Sequence, residues 1–340
     1  MKRMNTTGQA IRAPKVSVIV PAYNVAPYIG EALASVEAQT YRDFETIVVN
    51  DGSPDDTEKA LAPYMKRIVY VRQENRGLSG ARNTGMRLAR GRYFALLDAD
   101  DMWMPDYLER MVEVIEGTDS PDIVYPNAEL FGMKKWEGRL YQDIYPSVTP
   151  VTLERLLSRE CTVFVSALFR REAPERIGMF DEAIRGGGED FDMWLRAAWH
   201  GLRFAYTARP LVRYRKRPDS LSGNEARMSQ SLIYICDKFL AEQNPPPDIV
   251  RLTETLREQS RAALNRALAK QKIEKGEFAE AVQHLSKANA HFRSVKLAVV
   301  GMALRFAPEM VARLMKQRED HTQLVSDPGN GPPGLRPGQE

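Results

Sequence analysis

Residues 16–24 read VSVIVPAYN, and the first five decide the class of fold. Val and Ile stand at consecutive positions rather than alternate ones, so neither face of such a strand meets water. Strands of that kind lie in parallel sheets covered by helices on both sides. Outward from it, PYIGEALASVEAQ (27–39) has helical apolar spacing at Ile29, Leu33 and Val36. FETIVVN (44–50) is a second strand, and DGSPDDTEKAL (51–61) reads as a helix start, with Ser53 as N-cap, Pro54 first in the helix and Asp56 completing a capping box. RIVYVRQ (67–73) is a third strand, GLSGARNTGMRLARG (77–91) a helix ending at Gly91, and YFALLDADD (93–101) a fourth strand. Strand and helix alternating in this way predict an α/β, mostly parallel wound sheet, in which ligands bind beyond the carboxyl ends of the strands.

From about residue 113 the pattern loosens. DIVYPNAELFG (122–132) suggests strand and turn, residues 150–160 a short helix, and FVSALFRREA (164–173) another strand. GGGEDFDMWLRAAWHG (186–201) is a glycine-rich loop entering a helix that Gly201 stops, and RFAYTARPLVRYR (203–215) a closing strand. After residue 224 the reading is helical. Residues 259–290 form two amphipathic helices around KGEF, a single tetratricopeptide-like hairpin. The expected organisation is a flexible N-terminus (1–14), a wound domain (15–223, its nucleotide-binding half 15–112 and acceptor half 113–223), a helical region (224–318) and a disordered tail (319–340) rich in Pro and Gly.

The 340 residues carry a net charge of only +3, which gives no reason to expect nucleic acid as a partner. Cys161 and Cys236 suit buried thiols in a reducing compartment. The opening MKRMNTTGQAIRAPK has no apolar core of a signal peptide, and residues 295–315 are interrupted by Lys296, Arg305, Glu309 and Arg313. We expect a protein kept on the cytoplasmic side. Residues 293–318 hold six basic residues against one acid. This leaves open a peripheral contact with the inner face of an anionic membrane, a homodimer, or a helical cap.

The candidate chemistry sits in the loops. Asp98, Asp100 and Asp101 crowd three carboxylates into four positions, which repel unless a cation lies between them. On a strand, Asp98 and Asp100 would face the same way and could share Mg²⁺ or Mn²⁺. A helix-capping role explains one carboxylate but not three. Asp51, beside the Gly52 turn, is placed to accept a hydrogen bond from a nucleobase. Arg76, Arg82 and the amide groups of a helix N-terminus offer a seat for phosphate. Glu189 and Asp190, after three glycines, are candidates for a general base, although first-turn acids also suit the helix dipole. The four histidines are scattered and receive no role.

Taken in order, VSVIVPAYN, TIVVNDGSPDDT, NRGLSGARNTG, YFALLDADD and GGGEDFDMWLR resemble the family 2 glycosyltransferases of the GT-A fold, over residues 15–223. The resemblance implies inverting transfer of a sugar from a nucleotide-diphosphate donor, usually a UDP-sugar, to a hydroxyl of a glycan or lipid-linked acceptor. It implies a nucleotide pocket lined by Pro21, Ala22 and Tyr23, with Asp51 on the uracil. The stretch Asp98, Ala99 and Asp100 matches the family's DxD motif, in which Asp98 and Asp100 serve the ribose and the Mn²⁺ or Mg²⁺ of the diphosphate. Asp190 matches the catalytic base of its ED motif. Asn50 stands where Asp is common in the family. The QxxRW motif of polymerising members is absent, which implies addition of one sugar per encounter. No His occurs in VRYRKRPDSLSG (212–223), where some members place one near the metal; Arg215, Lys216 and Arg217 are there instead.

The segment after the first strand disfavours two enzyme classes: PAYNVAPYIGEAL has no G-x-G-x-x-G for a dinucleotide and no glycine-rich basic loop for a nucleotidyltransferase. The remaining alternative is a retired glycosyltransferase scaffold that binds a nucleotide-sugar or a protein.

Overall fold

The computed structural model describes residues 12–218 and 220–315. The expected features of the extreme N-terminus and the C-terminal tail lie outside those residues. The backbone divides into two compact units. The first holds the residues up to Leu153, with Cys161–Arg185 and Glu189–Lys216; the second holds Glu154–Glu160, Gly186–Gly188 and the residues from Arg217 on.

The first unit opens with β1 (Val16–Ala22), α1 (Ile29–Glu37), β2 (Phe44–Asn50), α2 (Thr57–Leu61), β3 (Val69–Arg72), α3 (Gly77–Leu88) and β4 (Tyr93–Leu96). Every residue of β1 is buried, as its unbroken apolar run requires. In chain order there come next β5 (Met102–Trp103), α4 (Tyr107–Ile115), β6 (Ile123–Phe131), α5 (Leu153–Leu157), β7 (Leu168–Arg170), α6 (Glu172–Ile177), α7 (Glu189–Trp199) and β8 (Phe204–Arg215). The eight strands make one mixed sheet ordered β3-β2-β1-β4-β7-β6-β8-β5. Strands β3, β2, β1 and β4 run parallel, β7 is antiparallel to both β4 and β6, and β8 is parallel to β6.

Two local expectations are corrected. The capping box does not form at Ser53: α2 starts at Thr57, with Pro54 outside it. Ser53 Oγ instead accepts from the Asn24 amide (3.2 Å), and the Asp55 carboxylate accepts from the Thr57 amide and hydroxyl. Asp55 also accepts from the Ala26 amide, so this carboxylate joins the turns after β1 and β2. The fourth strand ends at Leu96, and Asp98–Asp101 form a turn closed by the Asp101 amide on the Asp98 carbonyl (3.0 Å). The alternation argument for Asp98 and Asp100 therefore does not apply.

That turn is anchored by buried hydrogen bonds. Ser166 Oγ donates to the Leu96 carbonyl (2.9 Å) and accepts from Trp103 Nε1 (2.8 Å). Tyr107 OH donates to the Ser166 carbonyl, and its ring stacks on Trp103 at 3.9 Å.

The second unit is helical: α8 (Glu225–Gln243), α9 (Pro247–Glu274), α10 (Phe278–Phe292) and α11 (Val295–Phe306), with a further helical stretch over residues 308–315. The hairpin read around KGEF is α9 and α10, joined through Gly276 at a φ of 76° that favours glycine. Ala269, Ile273, Ala281, Leu285, Leu304 and Val311 form its buried core.

Candidate active site

The site follows from strand register. In β1 and β2, Ala22 lies opposite Asn50; in β1 and β4, Ile19 lies opposite Leu96. The residues that leave these strands are thus gathered along one carboxyl edge: Tyr23 after β1, Asp51 after β2 and Asp98 after β4. Pro21 and Ala22 are buried at the end of β1, while Tyr23 is half exposed.

Asp51 is only 2% exposed. Its Oδ1 accepts from Gln73 Nε2 (2.6 Å) and from the Arg76 amide (2.9 Å). Gln73 is itself oriented by Thr84, whose hydroxyl donates to its Oε1. Gln73 is a contributor that the sequence does not announce: it terminates the segment RIVYVRQ with no motif around it.

Arg82, expected at a phosphate seat, is engaged by two carboxylates in this structure. It is wholly buried in α3, and its guanidinium is shared by two carboxylates. One nitrogen donates to Asp98 Oδ1 (2.6 Å) and another to Glu189 Oε1 (2.5 Å). Burial opposes its charge, but Asp98 and Glu189 outweigh burial and hold the guanidinium firmly protonated. Arg76 is engaged too, donating to Glu182 at 2.7 Å. No sequence spacing announces the Arg82–Glu189 pair, because its members are 107 residues apart.

The crowded carboxylates are therefore reconciled in part without a metal. Asp98 has Arg82 beside it. Asp101 is buried, and burial together with the charges of Asp100 and Asp98 pushes its carboxyl well above the usual carboxylate range. Its Oδ1 accepts from the Arg215 amide (2.8 Å), while its buried Oδ2 has no hydrogen-bond partner. Ala99 is buried between them, and Asp98 and Asp100 stay partly exposed. Among the described residues no group of three or more His, Cys, Asp or Glu side chains is placed to hold a metal. Asp98 and Asp100 still fit Mg²⁺ or Mn²⁺ in the sparse mode, where one or two carboxylates share the ion with substrate phosphates.

Asp190 is the second residue of α7, and its Oδ1 accepts from the Phe191 amide (2.8 Å). Burial, then the neighbouring charge of Glu189, raises its carboxyl to about 7. Arg82 pulls the other way without prevailing. A carboxylate with that affinity for protons takes one readily near neutrality.

Arg215 Nε donates to the Asp100 carbonyl (2.8 Å), and its guanidinium also pairs with Glu31 (2.6 Å). Lys216 follows with its ammonium 4.3 Å from the Tyr214 ring centre and 5.5 Å from that of Tyr145. Burial lowers it to about 8. Tyr141, Tyr145, Phe164 and Tyr214 form an aromatic cluster around it, with successive ring centres 4.6–5.4 Å apart.

A mixed sheet whose parallel half ends in an acidic turn, with a second acid pair tied to that turn by one arginine, has the GT-A fold. Residues 17–178, a little under half of the chain, match the family model described as glycosyl transferase family 2. It is 36% identical over 196 residues to a glycosyltransferase of Rickettsia prowazekii, covering 55% of this chain and 60% of that one. It is 37% identical over 224 residues to the glycosyltransferase EpsJ of Bacillus subtilis, covering 62% and 63%. The chain thus spans less than two thirds of these relatives. Among solved structures, S. aureus TarS 1–349 in complex with UDP-GlcNAc has a TM-score of 0.57 at 20% identity, covering 91% of this chain and 92% of that one. A mannosyltransferase from Pyrobaculum calidifontis in complex with GDP-Man and Mn²⁺ has a TM-score of 0.58 at 22% identity, covering 93% and 88%. These two show the fold.

Proposed function

We propose that the protein is an inverting glycosyltransferase that moves a sugar from a nucleotide-diphosphate donor, a UDP-sugar, to a hydroxyl of a glycan or lipid-linked acceptor. One observation carries this reading: Arg82 joins Asp98, in the turn after β4, to Glu189, the residue before Asp190. The proposed base is thereby held beside the proposed donor carboxylates by a buried ionic link.

Asp51 binds the base of the nucleotide, and Pro21, Ala22 and Tyr23 line that pocket. Asp98 and Asp100 would hold Mn²⁺ or Mg²⁺, which neutralises charge on the diphosphate when bound. Asp190 removes the proton of the acceptor hydroxyl. The acceptor oxygen forms its bond to the anomeric carbon as the bond from that carbon to the diphosphate oxygen breaks. The nucleoside diphosphate leaves with the electron pair, and a single displacement inverts the centre. One carboxylate raised towards neutrality suffices for this chemistry. The aromatic cluster about Tyr141 and Tyr214 offers apolar faces on which an acceptor sugar would stack.

The test is calorimetric titration of UDP, with Mn²⁺ and with EDTA, followed by a screen of UDP-sugars for transfer. Metal-dependent binding followed by transfer supports the reading. UDP binding without transfer to any acceptor favours the retired, nucleotide-sugar-binding alternative, and no binding in either buffer overturns the donor assignment.

A further inference from the structure

The last described helices are apolar on two opposite faces, and only one face is packed. Leu297, Val300, Ala303 and Leu304 of α11 lie in or against the core formed with α9 and α10. Val295, Val299, Met302 and Phe306 are exposed, Val295 at 79% and Phe306 at 84%. At 3.6 residues per turn these four fall within an arc of about 60°. Met310 and Leu314, also exposed, continue the apolar spacing into residues 308–315. A contiguous exposed apolar stripe of this kind marks an interaction surface.

Its flanks say what covers it. On the same helical wheel Lys296 and Arg305 fall at about +100° and −80° from Val295, one on each side of the stripe. Both are exposed, as are Arg293 and Arg313, and Glu309 is the one acid between Arg293 and Met315. An apolar stripe edged on both sides by long cationic side chains suits a boundary between acyl chains and anionic headgroups, where the stems lie along the apolar layer and the charges reach phosphate. No described helix is long and apolar enough to cross a membrane. We infer that the stripe Val295, Val299, Met302, Phe306, Met310 and Leu314, with Lys296 and Arg305 beside it, is a docking face that lies in the surface of an anionic lipid bilayer. This inference is independent of the donor and of the base.

The full chain is sedimented with phosphatidylcholine vesicles and with vesicles that also contain phosphatidylglycerol, and its oligomeric state is read by size-exclusion chromatography. The expected result is binding to the anionic vesicles alone. The double variant V299E/F306E should bind at least about tenfold more weakly, since two buried apolar side chains are exchanged for charges repelled by the surface. Lys296→Glu, which keeps the stripe, should weaken binding by more than about fivefold and make what remains less sensitive to salt. These side chains are exposed, so circular dichroism melts of the variants should match the parent. Equal binding by V299E/F306E, or no binding to either vesicle, overturns the inference. So does a dimer that V299E/F306E dissociates in a protein that ignores vesicles, because a second copy would then cover the face.

Discussion

Replacing Arg82 by methionine removes a guanidinium shared by two carboxylates while nearly preserving the apolar stem. The parent places a fully buried cation between Asp98, partly exposed, and Glu189, 5% exposed. Without the cation, Glu189 must stay charged in the interior or take up a proton. Breaking a buried ion pair from one side costs roughly 3–5 kcal/mol, because the remaining charge has no compensation. For a domain of this size that corresponds to a fall in Tm of about 6–20 °C. Thermal unfolding followed by circular dichroism reads this directly. A second consequence concerns the base. Arg82 is among the charges that lower the Asp190 carboxyl, so its removal should raise that group further above 7. If R82M retains measurable transfer, the acid limb of its kcat/KM profile should move to higher pH. The lysine variant, with a charge but no fork, should fall between the two. A Tm within about 2 °C of the parent would refute the reasoning, because it would mean a cost below about 1 kcal/mol and a triad without structural weight.

Asp190→Asn should leave UDP binding intact and reduce transfer by about 10²–10⁴-fold, the usual contribution of a general base; undiminished transfer would refute the assignment. The parent's kcat/KM should rise with pH through about 7 as Asp190 ionises, and fall above about 8 as Lys216 loses its charge; Lys216→Met, uncharged at every pH, should lower kcat/KM throughout and show no alkaline limb. The folded-state carboxyl of Asp190 is raised above its unfolded value, so the folded state holds the extra proton between about 4 and 7 and stability from this group is lost as pH rises through that window. Asp190→Asn should therefore melt higher than the parent at pH 8 and gain less at acid pH. Gly85→Ala should destabilise by about 1–3 kcal/mol in denaturant titrations, since a β-carbon there would stand 2.5 Å from Ile19 Cγ2 in buried β1.

Local rules made much of the parallel half legible. Burial of β1 and β2 is written in consecutive Val and Ile, because a strand covered on both faces needs apolar residues at every position, and both strands lie where their runs stand. The hairpin of α9 and α10 was likewise visible, since helical periodicity and a left-handed glycine act over a few residues. The same rules failed at Ser53, where the capping pattern was present but a nearby strand end took the hydroxyl. They failed again at Asp98 and Asp100, where β4 stopped at Leu96, short of both.

The sequence by itself determined the wound parallel start, the edge at which the loops gather and the order of motifs that carries the family resemblance. These depend on side-chain periodicity and on residues close along the chain. Only the tertiary structure decided that β7 lies antiparallel between β4 and β6, that Arg82 pairs with both Asp98 and Glu189, and that α11 packs one apolar face and exposes the other. The physical reason is range. Periodicity shows that a face is apolar or that a group is charged, but its partner is set by where distant segments pack, and no local pattern records a contact made 107 residues away.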